Sequence, residues 1–494
     1  MSGKPQPETL VASELVNQCL DSNQLGDGTL YAAMHQGRFI FNKSSHEWMV
    51  WLGHSWDRDI MDEAKGAVED VAVRYGEELA GLDVQISEAA KNGQKDLAKN
   101  IEGRKKEFVR RIQRLRGVNG RNAVLEFAAA LPNGSSLAIK GDELDQDPWL
   151  LGFTNGVLNL RTGQFRAGRP GDYISKRCGC EWKGLDEECP TWDKFLWDSL
   201  ENQHTIDFLH RWMGYCLTGV VTEQVFLILS GEGRNGKGVF VETVLSIMGD
   251  YSGPVQAEML LDQGRAKSPD GPSPAIMTLF GRRLATASES DEARRFSPSK
   301  IKWFTGSDTL VGRYPHDKYE RSFLPSHKLM LMTNNDPYAP ADDFAFWQRV
   351  LKVDWPFKFV RNPKHPSEKE RIDNLADKLK SEEPGIMARF VRGCMEWQAG
   401  GLQPTTEIRQ AGESYRREQD LIQDYIEARC FVPSDPSAVA TTATDIYQDF
   451  KTWYTEYHRA KVPTIQWFGR RMAKKFRKYK DGVVYYEGVG LLAT

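Results

Sequence analysis

Residues 225–248 constrain this chain more than any other stretch. Val225-Phe226-Leu227-Ile228-Leu229 is a continuous apolar run of strand length, the pattern of a strand buried on both faces of a parallel sheet. Directly after it come Gly231, Glu232, Gly233, Arg234, Asn235, Gly236, Lys237 and Gly238, and then VFVETVLSIMG with helical spacing. Strand, GxxxxGK, helix is the context in which this glycine motif becomes specific. Glycines at 231, 233 and 236 let backbone N–H groups close around phosphate oxygens, the helix N-terminus adds its positive end, and Lys237 neutralises charge. The loop from Gly231 to Gly238, with Arg234 and Asn235 inside it, is therefore the expected ATP-binding segment.

The position after the lysine usually holds Ser or Thr, whose hydroxyl binds Mg²⁺, and here it is Gly238. Mg²⁺ must then rely on phosphate oxygens, waters and an acid from a neighbouring strand. Arg283-Leu284-Ala285-Thr286-Ala287-Ser288-Glu289 runs from a strand-like segment into such an acid, so Glu289 is the candidate to polarise the attacking water or to hold a metal-bound water. A second strand, Lys328 to Thr333, ends in Asn334-Asn335-Asp336-Pro337. An amide at a strand's C-terminal end beside a phosphate loop can orient water, although the same tetrad also reads as an ordinary turn.

The chain has 494 residues, which predicts about three domains. Lys plus Arg is 65 against 68 Asp plus Glu, a net charge of −3 that gives no hint of a polyanion partner. The local counts differ. From Arg459 to Lys480 nine basic residues meet no acid, which leaves −12 over the remainder. Ile465, Phe468, Met472 and Phe476 repeat at helical spacing there, and Gly482 to Gly488 is strand-like, so the stretch reads as a basic helix and a wing on duplex DNA, or as a merely solvated basic helix. A second basic run, Arg104 to Arg116, lies on a helical pattern spanning Asp59 to Leu131, and reads either as a solvated face or as a nucleic-acid contact. Residues 30–56 alternate as two or three short strands.

Seven scattered cysteines make no disulfide framework and point to a reducing compartment. Cys178, Cys180 and Cys189 lie close together but lack the paired spacing of a zinc site, so ordinary strand and loop cysteines are the simpler reading. No run is long and apolar enough for a membrane span, and the start, MSGKPQPETLV, lacks a basic segment followed by an apolar one. A cytoplasmic location, that of a host cell for a phage or plasmid protein, is expected.

In order, GEGRNGKG, RLATASESDE, IKWFTGSDTLVGRY, KLMLMTNNDP and DDFAFWQRVLKVDWPFKF resemble the superfamily III helicases of viruses and mobile elements. Among these the chain is most similar to the phage and plasmid primase-helicase group that includes the poxvirus primase-helicase. The resemblance runs from about Asp147 to Gly490. It implies an α/β fold with an AAA+-type P-loop ATPase core, and a ring, usually a hexamer, that translocates on DNA. It matches Lys237 to the phosphate-binding lysine, Glu289 to the Walker B acid, Asn334 to the sensor asparagine, and Arg349 to an arginine near the neighbouring subunit's ATP. Gln348 stands where another arginine is common, a second departure beside Gly238.

By the same resemblance, residues 309–329 form a hairpin projecting into the ring channel, with His316 and Lys318 gripping the DNA backbone. The end resembles a C-terminal winged-helix domain, where Arg470, Arg471, Lys474 and Lys475 are the candidate DNA contacts. The implied layout is an N-terminal α+β module over 1–145, a β connector over 146–190, the ATPase over 191–400 and the winged helix over 401–494. ATP and Mg²⁺ are the implied cofactors, with single-stranded and forked DNA and further copies of the chain as partners. No paired-acid or zinc-ligand motif marks a primase before residue 146, so a primase or polymerase is expected to act in trans. Two other readings stay open: a non-enzymatic DNA-binding initiator that uses ATP only for assembly, and a primase-helicase with an unrecognised primase module.

Overall fold

The computed structural model describes residues 11–132, 134–263, 273–289, 294–314, 320–457 and 462–492. The first part is helical around a small sheet. Helices α1 (Ser13–Asp21) and α2 (Asn23–His35) precede strands β1 (Phe39–Asn42), β2 (Glu47–Trp51) and β3 (Trp56–Arg58). Helices α3 (Val68–Lys91), α4 (Lys95–Leu115) and α5 (Val118–Ala128) follow, and β4 (Ala138–Ile139) returns to pair with β1. The strands expected over 30–56 therefore begin only at Phe39. Leu30 to His35 complete α2, whose buried Leu30, Tyr31, Ala32 and His35 pack inward as a helical stripe.

The basic run on α4 is divided: Lys106 and Arg110 are exposed, as a solvated face requires, while other members are used inside this unit. Asp27 is 1% exposed and accepts from Arg111 at 2.7 Å, from Arg114, and from the Tyr75 hydroxyl at 3.1 Å. Arg104 pairs with Asp21 at 2.9 Å and Arg116 with Glu69 at 2.9 Å. A buried carboxylate with two guanidiniums is costly to break, so these arginines clamp α4 onto α2.

Strands β5 (Leu150–Phe153), β6 (Gly156–Asn159) and β7 (Gln164–Arg166) form an antiparallel meander. Its Leu151, Phe153 and Leu158 share one core with helices α6 (Pro190–Leu200) and α7 (Gln203–Leu217) and with the main sheet. That sheet has five parallel strands in the order β14-β8-β13-β10-β9. They are β8 (Phe226–Ser230), β9 (Ser252–Pro254), β10 (Leu284–Glu289), β13 (Lys328–Thr333) and β14 (Val350–Asp354). Every residue of β8 is buried, as a central parallel strand requires. Between β10 and β13 lie α9 (Pro298–Thr305) and the antiparallel pair β11 (Leu310–Gly312) and β12 (Arg321–Phe323).

After β14, helix α10 (Glu383–Gly400) crosses α7 at very close range. A Cβ on Gly214 would lie 2.0 Å from the Cys394 nitrogen, and one on Gly393 would lie 2.1 Å from the His210 carbonyl oxygen. Helix α11 (Thr406–Glu418) packs on β14, and its Tyr415 hydroxyl donates to the Pro337 carbonyl. Residues 402–418 thus belong to the cores around the main sheet, through Leu402, Ile408 and Tyr415. A separate core begins at Ile422, in α12 (Leu421–Arg429), and is shared by α13 (Ala443–Tyr457) and α14 (Ile465–Lys475). A three-stranded antiparallel sheet completes it: β15 (Ala440–Thr442), β16 (Arg477–Asp481) and β17 (Val483–Glu487), with the β16–β17 turn at Gly482, whose φ is +62°.

Candidate functional site

Helix α8 (Lys237–Met248) starts one loop after β8, and that loop is held from below. Ser230 O accepts from Trp355 N at 2.8 Å, and Arg234 O accepts from Phe359 N at 2.8 Å, so the segment after β14 lies along the loop. Asn235 is buried and donates from Nδ2 to the Trp355 carbonyl at 3.3 Å. Gly231 has φ +148° and Gly236 has φ +92°, and a Cβ on Gly231 would come within 2.5 Å of the Trp355 carbonyl oxygen. Only glycine fits there. Arg234 holds φ +65° and is exposed. A Cβ on Gly233 or on Gly238 would meet nothing within 4 Å.

Register in the sheet gathers the other candidates. Ser230 pairs with Thr333, and Thr333 pairs with Glu289, so β8, β13 and β10 end level with one another. The loop, Asn334 and Glu289 therefore share one edge of the sheet. Lys237 is 3% exposed, and its Nζ contacts the Gly231 carbonyl and lies 3.4 Å from Asn334 Oδ1. Burial pulls its ammonium down to about 8, with Asp336 acting in the opposite direction. An ammonium facing carbonyls at a helix N-terminus is arranged to receive an anion rich in oxygen.

Sequence reasoning did not single out three residues that shape this edge. Asp336 accepts from Ser230 Oγ at 2.7 Å and pairs with Lys352 Nζ at 2.7 Å, while Lys352 also reaches Asp354 at 3.1 Å. This network ties the ends of β8, β13 and β14 together beneath Lys237. Arg294 Nε lies 3.4 Å from Glu289 Oε2 and the same side chain lies 3.4 Å from Glu258. Glu289 is buried, so a neighbouring guanidinium offsets part of the cost of its charge. The Asn-Asn-Asp-Pro tetrad was the available signal for Asp336; for Lys352 and Arg294 the sequence carries none.

Other candidates lie elsewhere. Arg349 precedes β14 at the opposite end of the sheet, where its guanidinium donates to Ala345 O at 2.6 Å and lies 3.4 Å from Gln224 Oε1. Five residues of strand, roughly 17 Å, separate it from the edge that carries the loop. His316 and Lys318 lie outside the described residues. On α14, Arg470 is exposed, whereas Arg471 and Lys474 both hold Asp342, at 2.7 and 3.1 Å, and Lys475 holds Asp420 at 2.9 Å. Cys178, Cys180 and Cys189 are buried, and burial raises all three thiols, the latter two to about 12, so they are protonated core side chains. Among the described residues no helix is long and apolar enough to cross a membrane.

Residues 28–201 match the family described as D5 N terminal like. A protein of Acanthamoeba polyphaga mimivirus named "Putative helicase L207/L206" is 27% identical over 338 residues, covering 65% of this chain and 35% of the relative. The African swine fever virus protein named "Putative primase C962R" (isolate Tick/Malawi) is 23% identical over 334 residues, 63% of this chain and 34% of its own. Over roughly two thirds of its length the chain is thus similar to viral proteins named as helicases and primases. The chain spans about a third of the length of those viral proteins. The family match begins at residue 28, well upstream of Asp147, where the resemblance of motifs starts. A solved apo structure of the NrS-1 C-terminal region is 11% identical, with a TM-score of 0.44, over 75% of this chain and 89% of that one.

Proposed function

We propose that this chain is an ATP-dependent DNA helicase of the superfamily III type, acting as a ring in the replication of a virus, phage or other mobile element. The main sheet is read as its AAA+ core, and the unit from Ile422 onward as a winged helix. One observation carries the reading: the glycine loop with Lys237, Asn334 and Glu289 meet at one edge of a parallel sheet, set there by the pairing of Ser230, Thr333 and Glu289.

The loop suits the phosphates of ATP, because Gly231 and Gly236 occupy conformations that side chains rarely adopt and α8 begins directly after them, where a helix's first N–H groups have no intrahelical partner. On nucleotide binding, Lys237 Nζ exchanges the Gly231 carbonyl for phosphate oxygen. Asn334 is positioned to orient the attacking water and Glu289 to accept its hydrogen bond. Mg²⁺ adds charge neutralisation at the phosphates, and Glu289, through a water, is the residue that would hold it, since Gly238 supplies no hydroxyl. Arg349 lies too far from the loop of its own chain, which supports its use at a neighbouring subunit's nucleotide. His316 and Lys318 remain the proposed channel contacts, and Arg470, Arg471, Lys474 and Lys475 the proposed duplex contacts.

The test is ATP turnover with and without single-stranded DNA, beside strand separation of a fork. The wild-type chain should hydrolyse ATP faster with DNA, and Glu289→Gln should bind ATP and lose turnover. ATP binding without turnover in the wild type would instead support the assembly-only initiator.

A further inference from the structure

The cations of α14 face an anion that belongs to the chain itself. Asp342 offers one carboxylate oxygen to Arg471 Nη2 at 2.7 Å and the other to Lys474 Nζ at 3.1 Å. One turn on, Lys475 Nζ reaches Asp420 Oδ2 at 2.9 Å and Gln423 Oε1 at 2.8 Å. A cleft of about 190 Å³ opens between these pairs, lined by Tyr338, Arg416 and Trp467 as well. Arg471 lies 4.0 Å over the Trp467 ring, which fixes its guanidinium in place. Burial alone would raise the Asp342 carboxyl, but Lys474 and Arg471 beside it hold it below the ordinary carboxylate range.

Resting on the DNA-binding reading above, we propose that the Arg471, Lys474 and Lys475 face of α14 is a phosphodiester site that Asp342 and Asp420 occupy in the DNA-free chain. Carboxylate and backbone phosphate then compete for one set of cations. The competition favours DNA once it is near. Partly exposed ion pairs are individually weak. Duplex DNA, by contrast, presents a charge every ~1.7 Å and gains from counterion release. Arg470 and Lys478, both exposed, are placed to make the first contact.

The occupant matters because of where it sits in the chain. Asp342 lies between Asn334 and Arg349, and its neighbour Asp343 caps the short helix Phe344–Trp347 that leads to Arg349. Displacing Asp342 removes one tie from the segment between Asn334 and Arg349, leaving it held by Arg416, which donates to Ala341 O at 2.8 Å, and by Lys302, paired with Asp343 at 3.1 Å. DNA engagement at α14 is thereby coupled to hydrolysis.

The experiment compares full-length wild type, Asp342→Asn, Arg471→Ala and, as a charge control, Asp481→Asn. Affinity for fluorescein-labelled forked DNA is read by anisotropy over a salt series. Amide exchange of residues 338–349 is read with and without that DNA. Asp342→Asn should bind DNA about 3- to 10-fold more tightly than wild type and exchange faster at 338–349 before DNA is added. Arg471→Ala should bind more weakly and show the same fast exchange. Wild type should gain exchange there only when DNA is present. Equal affinity of wild type and Asp342→Asn, with wild type binding, overturns the competition and leaves the helicase reading intact. An equal gain in Asp481→Asn overturns it too, since net charge would then suffice. Failure of every variant to bind DNA overturns both.

Discussion

Lys237 Nζ lies 3.4 Å from Asn334 Oδ1, although 97 residues separate them in the chain. The loop ammonium, at the start of α8, and the strand-end amide after β13 thus meet, and on the proposed reading a γ-phosphate would enter between them. Their losses should differ. Lys237→Ala should weaken ATP binding about 10- to 100-fold, the worth of a charge-assisted contact, in a calorimetric titration. Asn334→Ala should keep binding within a few-fold and lower turnover by about 10²- to 10³-fold.

Asp336 supports the charge on Lys237, so its removal should change how ATP binding depends on pH. In the wild type the Lys237 ammonium is lost as pH rises through about 8, and affinity should fall over that interval. Asp336 pushes this value up, so Asp336→Asn moves the fall to lower pH. Titrations from pH 6.5 to 9 should show near-equal affinity at the acid end and a widening deficit in the variant towards pH 8. Parallel curves would assign Asp336 a packing role only.

Gly238 is a chemical departure with no steric cause, because a Cβ there meets nothing within 4 Å. Gly238→Ser should fold normally and reduce the Mg²⁺ concentration that gives half-maximal turnover. An unchanged requirement would mean that the remaining ligands already complete the Mg²⁺ shell.

Three imidazoles should make the fold acid-sensitive. Burial is the leading cause that holds His35, His210 and His327 down at about 4, against 6.5 when unfolded. The unfolded chain therefore binds more protons between those values, and stability falls as pH drops from 6.5 towards 4. The urea midpoint should decline over this interval. His327→Leu, which removes one fully buried imidazole, should make the decline shallower.

The α7–α10 crossing should tolerate no added methyl. Gly214→Ala places a Cβ 2.0 Å from a backbone nitrogen of the facing helix, which must move. A loss of about 3 kcal/mol, the upper end of overpacking costs, is expected in equilibrium unfolding.

The sequence by itself determined the elements whose signals are local. The apolar run at 225–229, the glycines before Lys237 and the strand-end positions of Glu289 and Asn334 need only neighbours within a few residues, and all four appear where spacing puts them. Charge did not behave that way. Arg111 and Arg114 on one basic helix turn to Asp27, and Arg471 and Lys474 on another turn to Asp342, partners 84 to 132 positions distant. Whether a cation faces solvent, a phosphate or a carboxylate depends on which strands and helices pack together, because Coulomb attraction acts through space at a few ångströms and leaves no periodic trace along the chain. Only the tertiary structure decided that Asp336 and Lys352 brace the site, that Arg294 neighbours Glu289, and that Arg349 stands at the far end of the sheet.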